Sequence, residues 1–369
     1  MADNKDNKVL NVPALRFPEF TEEWNYESLD TIAPNITSGR SKPSLGEYNL
    51  YGSTGIIGKT ATADYSGDML LVARVGANAG SLQLVNDSCG ITDNTLIIKP
   101  CKLSSHYLYF YLQHYNLNRL VFGSGQPLIT AGMLKKVRIP FGNQLEQKKI
   151  ENFLCCIDER ITTQNKIIEK LETLIKGIVE LAFSHAATSN TLGCYITQIS
   201  QRNKTGKDLP VLSVSNKHGF VEQSEQFEDR IIASDDTSNY KIVDINDFAY
   251  NPARINVGSI ARLKDKECGI VSPMYICFRT SKDILPEYLE LFFKTVTFSF
   301  EVGKRLEGSV RLCLSYESLC EIVIPIISIR EQQSLVKMVT TFHSKLDVEK
   351  GFLSSYQSQK QCLLSQMFI

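Results

Sequence analysis

The chain has 369 residues, 43% of them hydrophobic and 22% charged, which is globular composition with length for two cores and excludes a disordered chain. Lys and Arg number 40 and so do Asp and Glu, so no general attraction to polyanions exists and any nucleic-acid site must be local. No run of 18 apolar residues occurs and the start, Met1 to Lys8, is polar, which points to a soluble cytoplasmic protein.

The ten cysteines lack C-x-x-C spacing and the five histidines are scattered, so neither a disulfide framework nor a structural metal is expected. The cysteines read as small buried hydrophobes in a reducing compartment.

In chain order, Met69–Ala73 and Thr95–Ile98 are short apolar runs bounded by Gly, Asp, Asn and Pro, as strands are. A helical stretch follows over Ser105–Leu120, with a counterpart at Pro286–Val296. The run Ser53 to Thr60 resembles a phosphate-binding loop, but serine stands where the first glycine belongs and no helical period follows. A Gly-rich hairpin is the plainer reading. Phe122–Gly125 is followed by Pro127, against a methyl-donor loop, and Asn251-Pro-Ala-Arg254 lacks the second proline and aromatic ring of adenine methyltransferases. No catalytic constellation stands out.

The sequence repeats itself. Cys89-Gly-Ile91 returns as Cys268-Gly-Ile270 and Asp68 as Asp247, an offset of 179. From Gly123-Ser124 onward the offset is 185, pairing Ile139-Pro140 with Ile324-Pro325, Glu146-Gln147 with Glu331-Gln332, and Phe183 with Phe368. A six-residue insertion between the anchors accounts for the change. Such collinearity indicates tandem duplication, each copy running from a β-rich region through Ile-Pro to a long helix.

Ile150, Leu154, Ile157, Ile161, Gln164, Ile168, Leu171, Ile175, Ile178 and Ala182 alternate steps of four and three, an a/d seam. Adding 185 gives Leu335, Val339, Phe342, Leu346, Glu349, Leu353, Tyr356, Lys360, Leu363 and Met367. Two matched seams suggest two helices packed together, with Gln164, Glu349 and Lys360 as polar members that fix register or admit a partner.

Val12–Phe20 with Trp24, Tyr51–Gly58, Thr92–Thr95, Gly123–Pro127 and the junction from Ile139-Pro140 to Glu146–Ile150 together resemble the DNA-specificity subunit of type I restriction-modification systems, over essentially the whole chain. Copy two departs from that pattern at Ser272-Pro273, in place of Asp93-Asn94, and at Arg311, in place of Gln126. The resemblance implies a non-catalytic α+β chain with two tandem β-rich target-recognition domains, 1–142 and 184–325. Two spacer helices, 143–183 and 326–369, would form an antiparallel coiled coil. Each domain would read one half of a bipartite duplex site. The helices would set the gap and dock two methyltransferase subunits, which bind S-adenosylmethionine, and motor-nuclease subunits would join a larger complex. The alternatives are a coiled-coil assembly scaffold indifferent to DNA sequence, or a nucleotide-binding enzyme using the loop 52–60.

Bases are read by Arg, Lys, Asn and Gln, and phosphates by cations, hydroxyls and amides, from Gly-flanked loops. In copy one these are Ser38, Gly39, Arg40 and Lys42, then Arg74 and Asn78, then Ser124 and Gln126. In copy two they are Arg202, Lys204 and Lys207, then Arg254 and Asn256, then Lys304, Arg305 and Arg311. Arg74 and Arg254 stand near equivalent positions of the repeat. Residues 1–142 carry 13 basic and 12 acidic side chains, and 184–325 carry 16 and 18. Neither region is basic overall, so tight binding is expected to need the methyltransferase subunits.

Overall fold

The computed structural model describes residues 11–121, 127–184, 188–222, 237–308 and 311–369. Two compact units result, one from residues 1–166 with 350–369 and the other from 167–349.

The first unit contains β1 (Asn25–Ser28), α1 (Leu29–Ile32), β2 (Thr37–Ser38), β3 (Tyr48–Gly52), β4 (Gly55–Thr60), β5 (Asp68–Ala73), β6 (Leu82–Asn86), β7 (Gly90–Ile91) and β8 (Thr95–Ile98). Then come α2 (Ser105–Tyr115), α3 (Ala131–Lys135), β9 (Arg138–Phe141) and the start of the 41-residue α4 (Gln144–Ser184). One sheet has the order β2-β8-β5-β6 and another β4-β3-β7, while β1 pairs with β9. Met69 to Ala73 are all buried because the strand is covered on both faces. Successive side chains point opposite ways, so Leu70 and Val72 join Leu96, Ile98, Tyr107 and Leu108 in one core, and Met69 and Leu71 join Val85, Ile91 and Ile97 in a second. Continuous apolar runs, not alternating ones, are the signature of such strands.

The second unit repeats the plan with β10 (Thr188–Thr191), β11 (Ile196–Ile199), β12 (Val211–Ser215), β13 (Gly219–Glu222), β14 (Lys241–Asp244), β15 (Phe248–Tyr250), β16 (Ile260–Arg262), β17 (Cys268–Val271) and β18 (Ile276–Thr280). The helices α5 (Pro286–Phe292), α6 (Val296–Lys304) and α7 (Tyr316–Cys320) follow, then β19 (Val323–Ile326) and α8 (Ile329–Met367). Its four-stranded sheets run β11-β18-β15-β16 and β13-β12-β17-β14, and β10 pairs with β19. Ala249 and Cys277 face the core containing Leu212 and Val271. Phe248 and Phe278, opposite each other in the β15–β18 ladder, stack 5.1 Å apart on the other face and meet Phe293 edge-on.

The duplication is thus legible as hydrogen bonds. Tyr107 Oη donates to the Pro140 carbonyl at 3.0 Å, and Tyr288 Oη to the Pro325 carbonyl at 2.8 Å. Gln147 Nε2 donates to the Gly142 carbonyl and Gln332 Nε2 to that of Ile327. The tyrosines differ by 181, between the anchors at 179 and 185, so the six-residue insertion divides into two residues ahead of the helix and four after it.

Helix starts follow the expected chemistry. Ser104, Thr130, Thr295 and Ser315 each accept an amide in the first turn of α2, α3, α6 and α7, and Ser328 with Glu331 makes a reciprocal capping box on α8. At the start of α4, Glu146 is buried and accepts both Arg16 nitrogens, at 2.6 and 2.9 Å, and Trp24 Nε1 at 3.0 Å.

Along α4 the seam residues are its covered side. Leu154, Ile157, Gln164, Ile168 and Ile175 are buried, and Ile161, Leu171 and Ile178 are half-buried, between exposed neighbours. On α8, Val339 and Leu346 are buried while Phe342, Leu353, Tyr356 and Leu363 are half-buried. Within the first unit the two helices run antiparallel. Lys360 pairs with Asp158 at 2.6 Å, and Phe368 packs on Trp24, whose indole is bonded to the beginning of α4. The polar seam member Lys360 is therefore matched by a charge. Among the described residues, no helix is long and apolar enough to cross a membrane.

Candidate nucleic-acid interface

Strand pairing gathers several loops of the first unit at one pole. Strands β3 and β7 are parallel, so both end there. Both β5 and β2 run antiparallel to β8, so they end where β8 begins. Backbone bonds then tie the loops together: Arg74 N to Asn94 O at 2.9 Å, Gly39 N to Thr95 O at 3.0 Å, Ser41 N to Ile91 O at 2.9 Å, and Thr92 N to Tyr51 O at 3.0 Å. The segment after residue 126 joins them, with Gly76 N donating to Pro127 O and Ile129 N to Arg74 O.

Of the residues expected from sequence, Arg40, Lys42, Arg74 and Asn78 thus converge. Arg40, Lys42 and Asn78 are exposed and Arg74 is half-buried, with its Nε enclosed and unpartnered. Ser38 ends β2 and is not in a loop. Gly39 is buried, and a Cβ there would stand 2.3 Å from the Ile91 carbonyl oxygen, so this glycine permits a close backbone approach. Ser124 and Gln126 lie outside the described residues, although Pro127, next to Gln126, is anchored at the pole. The neighbouring Ser41 hydroxyl donates to Asp64, and this bond, with one from Thr62, holds the Asp64 carboxyl below its usual range. Asn49 does the same to Asp87, while burial and the Asp87 charge raise the Tyr51 phenol.

The second unit builds the same pole. Strands β12 and β17 are parallel, and β11 and β15 run antiparallel to β18. Arg202 leaves β11, forms a bridge with Lys241 and donates to Asn239 at 3.0 Å. Lys204 is exposed, and Lys207 closes a turn on Asn203. Arg254 and Asn256 are exposed in the loop after β15. Leu314 N donates to Pro252 O, which brings the segment after exposed Arg311 to the same loop. Lys304 is the last residue of α6, not part of a loop, and both Lys304 and Arg305 pair with Glu301 one turn back. A shared carboxylate neutralises much of what those two cations offer.

Residues not among the contacts expected from the sequence also stand at these poles. Asp93 and Asn94 are exposed between β7 and β8. Asn216, Lys217 and His218 form the tip of the β12–β13 hairpin, where a Cβ on Gly258 would meet Asn216 at 3.8 Å. They line a cavity of about 630 Å³ with Lys264, Lys266 and Lys294. Spacing along the chain carried no sign of them, because only the strand ladders decide which turns become neighbours.

Most of the run 52–60 is itself strand β4, and no helix follows it, so the amide cluster of a helix N-terminus that a phosphate-binding loop requires is missing. Among the described residues, no group of three or more His, Cys, Asp or Glu could hold a metal ion.

Residues 9–173 match the family model described as the type I restriction modification DNA specificity domain. The fold is similar to the crystal structure of the S subunit of a type I restriction-modification system from M. genitalium, with a TM-score of 0.60 at 19% identity over 97% of this chain and 99% of that one. A chain from a structure addressing complex assembly and conformational transition of the type I R-M system gives 0.55 at 14% identity, over 94% of this chain and 97% of that one. At these identities the likeness concerns the fold. Among curated proteins none matches the sequence significantly.

Proposed function

Because residues 9–173 carry a DNA-specificity domain of the type I restriction-modification family and the chain has the fold of an S subunit along nearly its whole length, we propose that it reads a bipartite duplex site, one half with each unit. The observation that carries this reading is the pair of equivalent poles, where loops far apart in sequence bring Arg40, Lys42, Arg74 and Asn78 together in one unit and Arg254, Asn256 and Arg311 in the other, with Arg202 beyond the end of β11 beside Asn239 and Lys241. Guanidinium and amide groups on short loops are the chemistry of base-edge and phosphate contacts. The recognition domains extend over 1–142 and 184–325, and the spacer helices over 143–183 and 326–369.

The chain is the non-catalytic member of its complex. Two methyltransferase subunits bring S-adenosylmethionine and modify adenine, and motor-nuclease subunits add cleavage. Docking along the helices is supported by a second apolar row. In the second unit Ile167, Leu174 and Leu181 repeat every seven residues, each one position ahead of a seam residue, and all are exposed at 36% or more. Replacing Leu174 by Asp removes the methyltransferase from a co-purified complex if this row is its seat. Neither recognition region is basic overall, so the isolated chain binds its site more weakly than the complex.

Co-expression with the methyltransferase subunit in an unmethylated host, followed by direct mapping of modified adenines, tests the reading. One split motif with a fixed gap supports it; a stable complex that modifies no defined motif leaves the assembly scaffold. Deleting one heptad from both helices shortens them by about 10 Å, or roughly 3 base pairs at about 3.4 Å each. An unchanged gap would refute the ruler role.

A further inference from the structure

The β3–β4 hairpin carries none of the polar side chains assigned to the pole of the first unit. It is a two-stranded ribbon, paired from Tyr48 opposite Thr60 to Gly52 opposite Gly55, with Ile57 as the extra, bulged residue of β4 where Leu50 pairs with Gly58 and Tyr51 with Ile56. Its turn, Ser53-Thr54, leads into Gly55, whose φ of +109° suits glycine alone. Immediately after it stand Ile56 and Ile57, 57% and 51% exposed on successive strand positions. Neither of these bulky β-branched side chains joins a core cluster of this unit, although Ile57 lies over Gly52. The hairpin is also not remote from the readers: Tyr51 O accepts Thr92 N, which joins it to the turn bearing Asp93 and Asn94 and, through Asn94, to Arg74.

In the second unit the corresponding hairpin, β12–β13, reaches the same pole, but its tip is Asn216-Lys217-His218. Strand β12 pairs in parallel with β17 as β3 does with β7, and Gly219 opposite Ser215 stands where Gly55 stands opposite Gly52, so Phe220 and Val221 take the places of Ile56 and Ile57. Both are half-buried, Phe220 against the core of its unit, so the apolar pair is exposed in the first unit alone while the tip changes from Ser53-Thr54 to a cationic one. Two readers of unlike half-sites would differ in that manner.

We infer that the β3–β4 hairpin is a base-contacting ribbon whose Ile56 and Ile57 pack against thymine methyl groups of the half-site read by the first unit. The inference rests on the DNA-reading function proposed above. The major groove admits a two-stranded β-ribbon, and the thymine methyl is the apolar group displayed there, a partner for side chains that cannot hydrogen-bond. The hairpin adds apolar discrimination beside the polar contacts of Arg74, Asn78 and Asn94, whereas Lys217 and His218 of the second unit donate to acceptors.

The test uses the complex with its methyltransferase and duplexes carrying the mapped site, with thymines replaced by uracil in one half-site at a time. Uracil keeps every hydrogen-bonding group and lacks only the methyl. Binding is expected to weaken about fourfold per contacted methyl in one half-site alone, and this sensitivity disappears in the Ile56→Ser/Ile57→Ser complex while the other half is read as before. Ile57 lies over Gly52, so Ile56→Ser alone is the variant to use if the pair disturbs the hairpin. Indifference of the unsubstituted complex to uracil in both halves, or a loss that persists in the variants, overturns the hairpin's role while leaving the DNA-reading function standing. A complex without preference for any sequence overturns both.

Discussion

The ring of Phe368 stands against that of Tyr107 in the first unit, centroids 5.5 Å apart and planes at 72°, and Tyr107 in turn donates to the Pro140 carbonyl. Trp24, Tyr111 and His114 complete the surround. In the second unit Phe183 meets Tyr288 at 4.7 Å and Phe292 at 5.3 Å. The end of each long helix is therefore part of its unit's core, which fixes that helix end in relation to the pole loops of the same unit.

Phe368→Ala should cost about 3–5 kcal/mol, because the side chain is 3% exposed and its removal leaves a cavity between aromatic rings that cannot collapse. Urea denaturation of the purified chain measures it. A loss under about 1 kcal/mol would mean that the terminal turn does not hold the first unit together.

Arg254→Ala should relax one base position in a single half-site at a cost of about 1–3 kcal/mol, since the side chain is exposed beside Asn256 at the second pole. The modified-adenine motif and binding to single-base variants read it out. Uniform weakening on all sequences, with a shallower salt dependence, would instead make Arg254 a phosphate contact.

Acid stability of the second unit should depend on Glu290. Burial pushes its carboxyl up, yet Lys294, Lys264 and Arg262 outweigh that and hold it below the usual carboxylate range. A depressed carboxylate contributes its full stability above its unfolded pKa of about 4.3, and loses it as pH falls toward the lower folded value. Glu290→Gln should therefore lower the melting temperature at pH 7 and flatten its decline below about pH 4.3. An unaltered acid limb would assign the decline to other carboxylates.

Thiol reactivity should follow burial. Burial pushes Cys277 up to about 12 and Cys89 to about 11, leaving almost no thiolate near neutral pH. Cys101, Cys156, Cys194 and Cys362 are exposed and should be alkylated by iodoacetamide first, as mass spectrometry of the native chain would record. Early labelling of Cys277 would mean that β18 opens readily.

The sequence by itself determined the duplication, the two helical seams and the strands at Met69–Ala73 and Thr95–Ile98. Each depends on periodicity or on runs bounded by turn residues, which are local properties. It also located most of the polar loop residues, because Gly-flanked cations stand out along a chain. Only the tertiary structure decided which of these share a surface. Arg74 meets Asn94 and Ile129 through backbone bonds closing over long separations, and no local pattern encodes that register. The strand ladders exposed Ile56 and Ile57, which in the sequence resemble any buried strand pair; the pairing of Lys304 and Arg305 with Glu301 is by contrast a local contact one turn back along α6. Burial and ion pairing are properties of neighbours in space, so a side chain's availability is set by the fold and not by its own identity.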